Sequence, residues 1–204
     1  VPYGYYMKWA MDVQGLQASL PDILGGVVQA LIYPVIAVFV RKIGVRDTTK
    51  WAMVPTVLCY IGLYFAPSFW VAVPLYALLM IGFASTWGTG DMLMGAIVDE
   101  DERRTGLRKS SFYMGLSALI TIPFNALHSM LFMALLQVFG YDGTLAQQSA
   151  LAVTGIRLAT ALVPAFFILL GYIPLWLFPI GRKEEKELSD FSEAMRRKET
   201  GVGD

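Results

Sequence analysis

Apolar residues fall in long unbroken blocks along this chain, and polar residues collect between them. The blocks run roughly over positions 20–40, 51–66, 70–87 with a continuation to 98, 112–139 and 156–180. A bilayer's hydrocarbon layer is about 30 Å thick and needs about 20 helical residues at about 1.5 Å each. The pattern therefore predicts five membrane-crossing helices. The second block is short, but Lys50 and Trp51 can anchor one end of it and the break at Pro67 the other.

Charge gives the blocks a direction. The connection 41–50 carries four basic residues, 99–109 four more, and the tail from Gly181 six; the segments 15–22, 67–68 and 140–155 carry none. Fourteen of the 16 Lys and Arg residues thus lie on one side, leaving Lys8 and Arg157. Solvated loops of a large soluble helical core have no reason to alternate in this way. The positive-inside rule places the basic side in the cytoplasm. The expected organisation is an all-α polytopic membrane helix bundle: residues 1–11 as the last turns of a truncated helix, 20–180 as a five-helix membrane region, and 181–204 as a cytoplasmic tail. The opening segment lacks the basic leader, short apolar core and small-residue cleavage site of a signal peptide. The chain reads as a fragment of a longer transporter-like protein.

Composition agrees with a lipid environment. Hydrophobic residues make up 56% of the chain and charged residues 16%, against about 45–50% and about 25% in a soluble domain. Mean hydropathy is +0.55. A formal net charge of zero leaves no basic footprint for nucleic acid. Cys59 is the sole cysteine, so no internal disulfide can form.

Polar residues inside apolar blocks are the candidate chemistry. In Ser85-Thr86-Trp87-Gly88-Thr89-Gly90-Asp91, two glycines beside hydroxyls weaken the helix. Asp91 would sit about 12 Å inside the charged loop at about 1.5 Å per residue. An acid at that depth is costly unless it faces protein or water. Either it lines a cavity that binds a cation or polar solute, or it snorkels, sits in an inner vestibule, or pairs with a basic residue of another helix. Asn125 and His128, three apart on one face of the fourth block, either hydrogen-bond a solute or bond between helices. Trp87, Tyr113 and Tyr33 offer flat faces for stacking on a sugar ring, whereas Trp9, Trp51, Trp70 and Trp176 fit an interfacial belt. Gly25, Gly26 and Ala30 form a small-residue stripe that permits close helix contact. Pro34, Pro55, Pro74 and Pro123 lie within the blocks, where they serve packing or gating. No nucleophile–His–acid set, phosphate loop or metal-ligand spacing occurs, and no strand precedes Gly88-Thr89-Gly90 to make a dinucleotide site. Neither enzymatic chemistry nor a cofactor is expected.

The segment Ile97-Val98-Asp99-Glu100-Asp101-Glu102-Arg103-Arg104-Thr105-Gly106-Leu107-Arg108-Lys109 is dense in both signs. It is either a hydrophilic, orientation-setting loop or a gate whose ion pairs form in one conformation and break in another. It resembles the signature of the glycoside–pentoside–hexuronide cation symporters, the melibiose permease family within the major facilitator superfamily. That signature resembles Ala-Asp-Ile-Val-Asp-Tyr-x-Glu followed by Thr-Gly-x-Arg. Ile97, Val98, Asp99, Thr105, Gly106 and Arg108 match, while Ala96 and Glu100 replace its first Asp and its Tyr. Residues 41–46 resemble the basic connection between the family's helices eight and nine, and the run from Gly155 through Pro164 and Pro179 its last helix. Several sugar-carrying members have a lysine in helix eleven, about where Ile122 and Pro123 stand here.

The resemblance implies the carboxy-terminal half of a twelve-helix transporter in the plasma (inner) membrane, with the amino-terminal half as its missing partner. It implies symport of a small polar solute such as a sugar or glycoside with Na⁺ or H⁺. The expected substrate cavity is Trp87, Asp91, Asn125 and His128; the expected cytoplasmic gate is Asp99, Arg103, Arg104 and Arg108. A carrier of lipids or other amphipathic solutes, and a non-transporting membrane subunit or scaffold, are the alternatives.

Overall fold

The structure, a computed structural model, describes residues 2–145 and 147–200. Every regular element among them is helical: α1 (Pro2–Tyr5), α2 (Leu16–Ile43), α3 (Val45–Phe65), α4 (Phe69–Thr105), α5 (Ser110–Val138), α6 (Ala150–Arg157), α7 (Val163–Leu177) and α8 (Arg182–Thr200). A π-turn over Tyr6–Ala10 continues α1, and another over Leu158–Leu162 joins α6 to α7. Among the described residues, four segments are long and apolar enough to cross a membrane: Leu16–Ile43, Phe69–Thr105, Ser110–Val138 and Ala150–Leu177. The second apolar block is α3, a 21-residue helix whose start carries Arg46, Asp47 and Lys50.

Helix limits follow local chemistry. The long third block does not stop at its glycines: α4 runs 37 residues without interruption. Thr86 and Thr89 donate their hydroxyl protons to the carbonyls of Gly82 and Ser85, at 2.9 and 2.6 Å, so the hydroxyls satisfy themselves on the helix instead of unwinding it. The Thr49 hydroxyl lies 2.7 Å from that of Thr89, fixing α3 to α4 in the buried interior. Helix α4 also extends beyond the apolar block and takes up most of the charged segment. It ends where Gly106 turns left-handed (φ +69°) and donates its N–H to Glu102 O at 2.8 Å, the conformation glycine adopts without a Cβ penalty. The last apolar segment starts earlier than its apolar block, at Ala150, because Ser149 caps it by accepting from Ala152 N.

The core lies at the end opposite the basic connections. Tyr6, Met7, Leu63, Ala66, Phe69, Ala72, Phe132, Leu136 and Ile156 meet there. The Tyr6 hydroxyl donates to Leu63 O at 2.7 Å. Arg157 donates to Tyr64 O, Ala66 O and Ala10 O at 3.2, 3.0 and 3.3 Å. One guanidinium thereby satisfies carbonyls at two helix ends that a membrane interface would otherwise leave orphaned. Helix α4 packs chiefly on α3 and α2. Gly82 makes the α3 contact possible, because its Cα stands directly against the Thr56 side chain. The small-residue stripe on α2 divides: Gly25 is buried against Met80, whereas Gly26 has open space and Ala30 is exposed. Consecutive residues on a helix point about 100° apart, so both glycines cannot meet one neighbour.

Helix α5 packs mainly at one end. Phe132 and Leu136, near its non-basic end, are its buried residues. Residues 118–130 are all exposed.

Candidate functional site

Two polar regions emerge, one along the middle of the bundle and one at its basic end. Along α4, Trp87, Asp91, Gly95 and Asp99 succeed one another at one-turn intervals, the spacing that puts helical side chains on one face. Trp87 is 74% exposed and Asp91 is exposed. Tyr33 of α2 comes from the neighbouring helix, with its ring 3.3 Å from where a Cβ on Gly88 would stand. The absence of that Cβ lets the ring lie against the α4 backbone beside Trp87. Gln29 donates to the Tyr33 hydroxyl at 3.5 Å. Tyr33, Gln29, Trp87 and Asp91 thus form a polar and aromatic strip on the α2–α4 side of the bundle.

Asn125 and His128 are both exposed on α5. Among the described residues, no side-chain hydrogen bond or ion pair engages Asp91, Asn125 or His128, and none links the α4 strip to the α5 pair. Within a hydrocarbon layer, such groups are stable only against protein or water. Tyr113 lies on the first turn of α5, half-buried beside Phe112, and is not part of the strip.

At the basic end the charged segment pairs with itself. Arg108 reaches back to Asp99 at 2.9 Å and to the buried Glu102. Arg103 and Arg104 both hold Glu100 at 2.7 Å, one turn along α4, and Lys109 lies 3.3 Å from Asp101. The Glu102 carboxylate, then Asp99, raise the Arg108 guanidinium above its ordinary value, with burial opposing. All four expected gate residues are therefore ion-paired, in two separate sets that both stay within 99–109: Arg103 and Arg104 on Glu100, and Arg108 on Asp99 and Glu102. Glu102 and Glu100, which the sequence reading did not single out, accept in these sets alongside Asp99. Their spacing of six from Arg108 and of three and four from Arg103 and Arg104 was the available signal.

Contact between elements at this end comes from α8. The Glu185 carboxylate accepts from Val45 N at 3.0 Å and from Arg46 N at 3.4 Å, capping the first turn of α3. Gly44, at φ +89°, brings the chain in tightly enough that a Cβ would lie 3.0 Å from both Arg182 and Glu185. Arg46 donates to Phe178 O at 2.9 Å and Arg182 to Arg41 O at 3.3 Å. Lys50 sits 5.0 Å above the Trp176 ring. A cleft of about 370 Å³ opens between α3, α4 and α8, lined by Met92, Gly95, Asp99, Glu185, Ser192 and Glu193 among others. Because Gly95 and Asp99 line this cleft, the face that carries Trp87 and Asp91 runs into it.

Residues 2–182 match the family described as MFS/sugar transport protein. Over 191 residues the chain is 27% identical to the "Glucuronide carrier protein homolog" of Escherichia coli (strain K12), in an alignment covering 90% of this chain. The chain spans 40% of that curated relative's length. No solved structure matches.

Proposed function

The chain belongs to the MFS/sugar transport protein family, and on that premise we propose that the complete protein moves a sugar or glycoside together with Na⁺ or H⁺ by alternating access. The family is one of membrane transporters, not enzymes. In our reading this chain is the carboxy-terminal half, in the plasma (inner) membrane, with residues 181–204 in the cytoplasm. The amino-terminal half completes the solute path. The coverage of 40% of the relative supports a missing part of about this size, and the relative's name supports a glycoside-type solute.

The observation that carries the proposal is the single face of α4 holding Trp87, Asp91 and Asp99, exposed at its middle and ion-paired at its basic end. An indole and a carboxylate one turn apart suit a polar ring-shaped solute: the ring takes the flat face of the sugar and the acid its hydroxyls or the coupling cation. Asn125 and His128 on α5 are assigned as further donors and acceptors for the solute. Rocking of the two halves exposes this midplane region to each side in turn. Asp99, Arg103, Arg104 and Arg108 form the inner gate, breaking part of their present pairing to engage the other half in the closed state. Coupling then requires that solute and cation each favour the same one of the two states.

The test is uptake by proteoliposomes containing the full-length parent, with Na⁺ and pH gradients imposed separately. Glycoside accumulation driven by one of the two gradients is expected. Uptake indifferent to both gradients removes symport, and absence of any glycoside uptake removes the transport reading.

A further inference from the structure

Helix α2 has two faces of different character. Toward α4, Asp22 accepts from the Tyr76 hydroxyl at 2.8 Å, Gly25 is buried against Met80 and Tyr33 lies against Gly88. On the other side, Leu24, Val27, Leu31, Val35 and Val38 follow one another at steps of three or four residues, the spacing of one helical stripe. All five are exposed. One further step of four ends the stripe in Lys42, with Arg41 beside it in the last turn of the helix. An exposed ridge with no polar member suits acyl chains better than water. From Leu31 to Lys42 it rises about 16 Å at about 1.5 Å per residue, close to half of a hydrocarbon layer about 30 Å thick. That is the depth of one leaflet.

The cations that end the ridge are joined by α8. The Arg182 guanidinium donates to Arg41 O at 3.3 Å, and the start of α8 is pressed against Gly44. Lys186 follows Arg182 by one turn on the same face of α8. Arg41, Lys42, Arg182 and Lys186 are all exposed, and among the described residues none of the four makes an ion pair. The acids around them serve other groups. Asp47 takes Arg46 at 3.3 Å and Lys50 at 3.7 Å, Glu184 accepts from Gly181 N at 3.1 Å, and Glu185 caps α3. Glu187 and Asp190 of α8 pair with none of the four among the described residues.

We propose that Arg41, Lys42, Arg182 and Lys186 hold the headgroup phosphate of an anionic phospholipid whose acyl chains lie along the α2 ridge from Leu31 to Val38. Guanidinium and ammonium donors both suit phosphate oxygens. The same cluster repels the choline of a zwitterionic lipid, so net lipid charge decides the preference. The site uses no residue of the solute path and stands or falls apart from the transport reading.

The test is native mass spectrometry of the full-length parent, incubated with equimolar dioleoyl phosphatidylglycerol and dioleoyl phosphatidylcholine. Wild type should retain phosphatidylglycerol preferentially. Lys42→Gln should lower that preference about fivefold, and Arg41→Gln with Lys42→Gln about tenfold or more; neither side chain makes a described bond, so α8 stays docked. Lys42→Arg should keep the preference, and Lys8→Gln, the same charge change at the non-basic end, should leave it within about twofold. Excess glycerol 3-phosphate, a headgroup without chains, should leave the lipid bound. Equal retention of the two lipids by wild type, an unchanged preference in the double variant, an equal loss in Lys8→Gln, or displacement by glycerol 3-phosphate overturns the proposal. Equal retention would instead fit a ridge covered by the amino-terminal half.

Discussion

Replacing Gly82 by alanine tests the α3–α4 contact on which the polar strip is mounted. The new Cβ would lie 1.6 Å from Thr56 Oγ1, 2.8 Å from its Cβ and 2.9 Å from its Cγ2. Thr56 is buried, and its hydroxyl donates to Ala52 O at 2.7 Å. Relief requires either separation of the helices or rotation of Thr56 with loss of that bond. Overpacking costs about 1–3 kcal/mol, and the lost hydrogen bond adds about 0.5–1.5 kcal/mol. Alanine's better helix propensity returns about 1 kcal/mol. The net destabilisation is about 0.5–3.5 kcal/mol, a roughly 2- to 400-fold shift in the folding equilibrium. Gly26→Ala is the control: nothing stands within 4 Å of its Cβ position, so the propensity gain is unopposed. Gly25→Ala falls between, because it meets the flexible Met80 side chain at 2.6 Å. The assay is graded SDS unfolding of the full-length parent in mixed micelles, followed by tryptophan fluorescence. Thr56→Gly in the Gly82→Ala background should restore most of the loss. Gly82→Ala as stable as Gly26→Ala, or no recovery with Thr56→Gly, refutes the packing argument.

Three further outcomes are expected. Arg108→Ala frees Asp99 and the buried Glu102 together, and uptake by the full-length protein should fall while membrane insertion is retained; unchanged transport kinetics would remove Arg108 from the gate. Glu185→Ala uncaps α3, at a cost of about 0.5–2 kcal/mol, and should expose α8 to limited proteolysis several-fold faster than wild type, with equal cleavage rates counting against the docking. Asp91→Asn removes the exposed mid-span charge, so the cation concentration that half-activates uptake should move about tenfold; an unaltered cation dependence would place coupling elsewhere.

Much of the fold was legible residue by residue. Partition into lipid depends on each side chain's own hydration, so the apolar blocks were enough for an all-α membrane bundle. Trp87 and Asp91 were visible as polar or aromatic interruptions of such a block. Other features depended on pairs distant in sequence. The glycines of 88–90 read as a weak point because intrinsic propensity is all that a single strand of sequence offers; burial of Thr89 against Thr49, 40 positions away, keeps the helix whole. Gly25 and Gly26 looked equivalent until one met Met80 and the other met nothing. Glu185 gave no sign in a charged tail that its partners were two backbone N–H groups 140 and 139 positions earlier. Sequence determined the fold class, a bundle of long apolar helices, because transfer free energy belongs to the residue. Tertiary structure decided which glycine touches a helix and which charge stays unpaired, because contact belongs to two residues that only packing brings together.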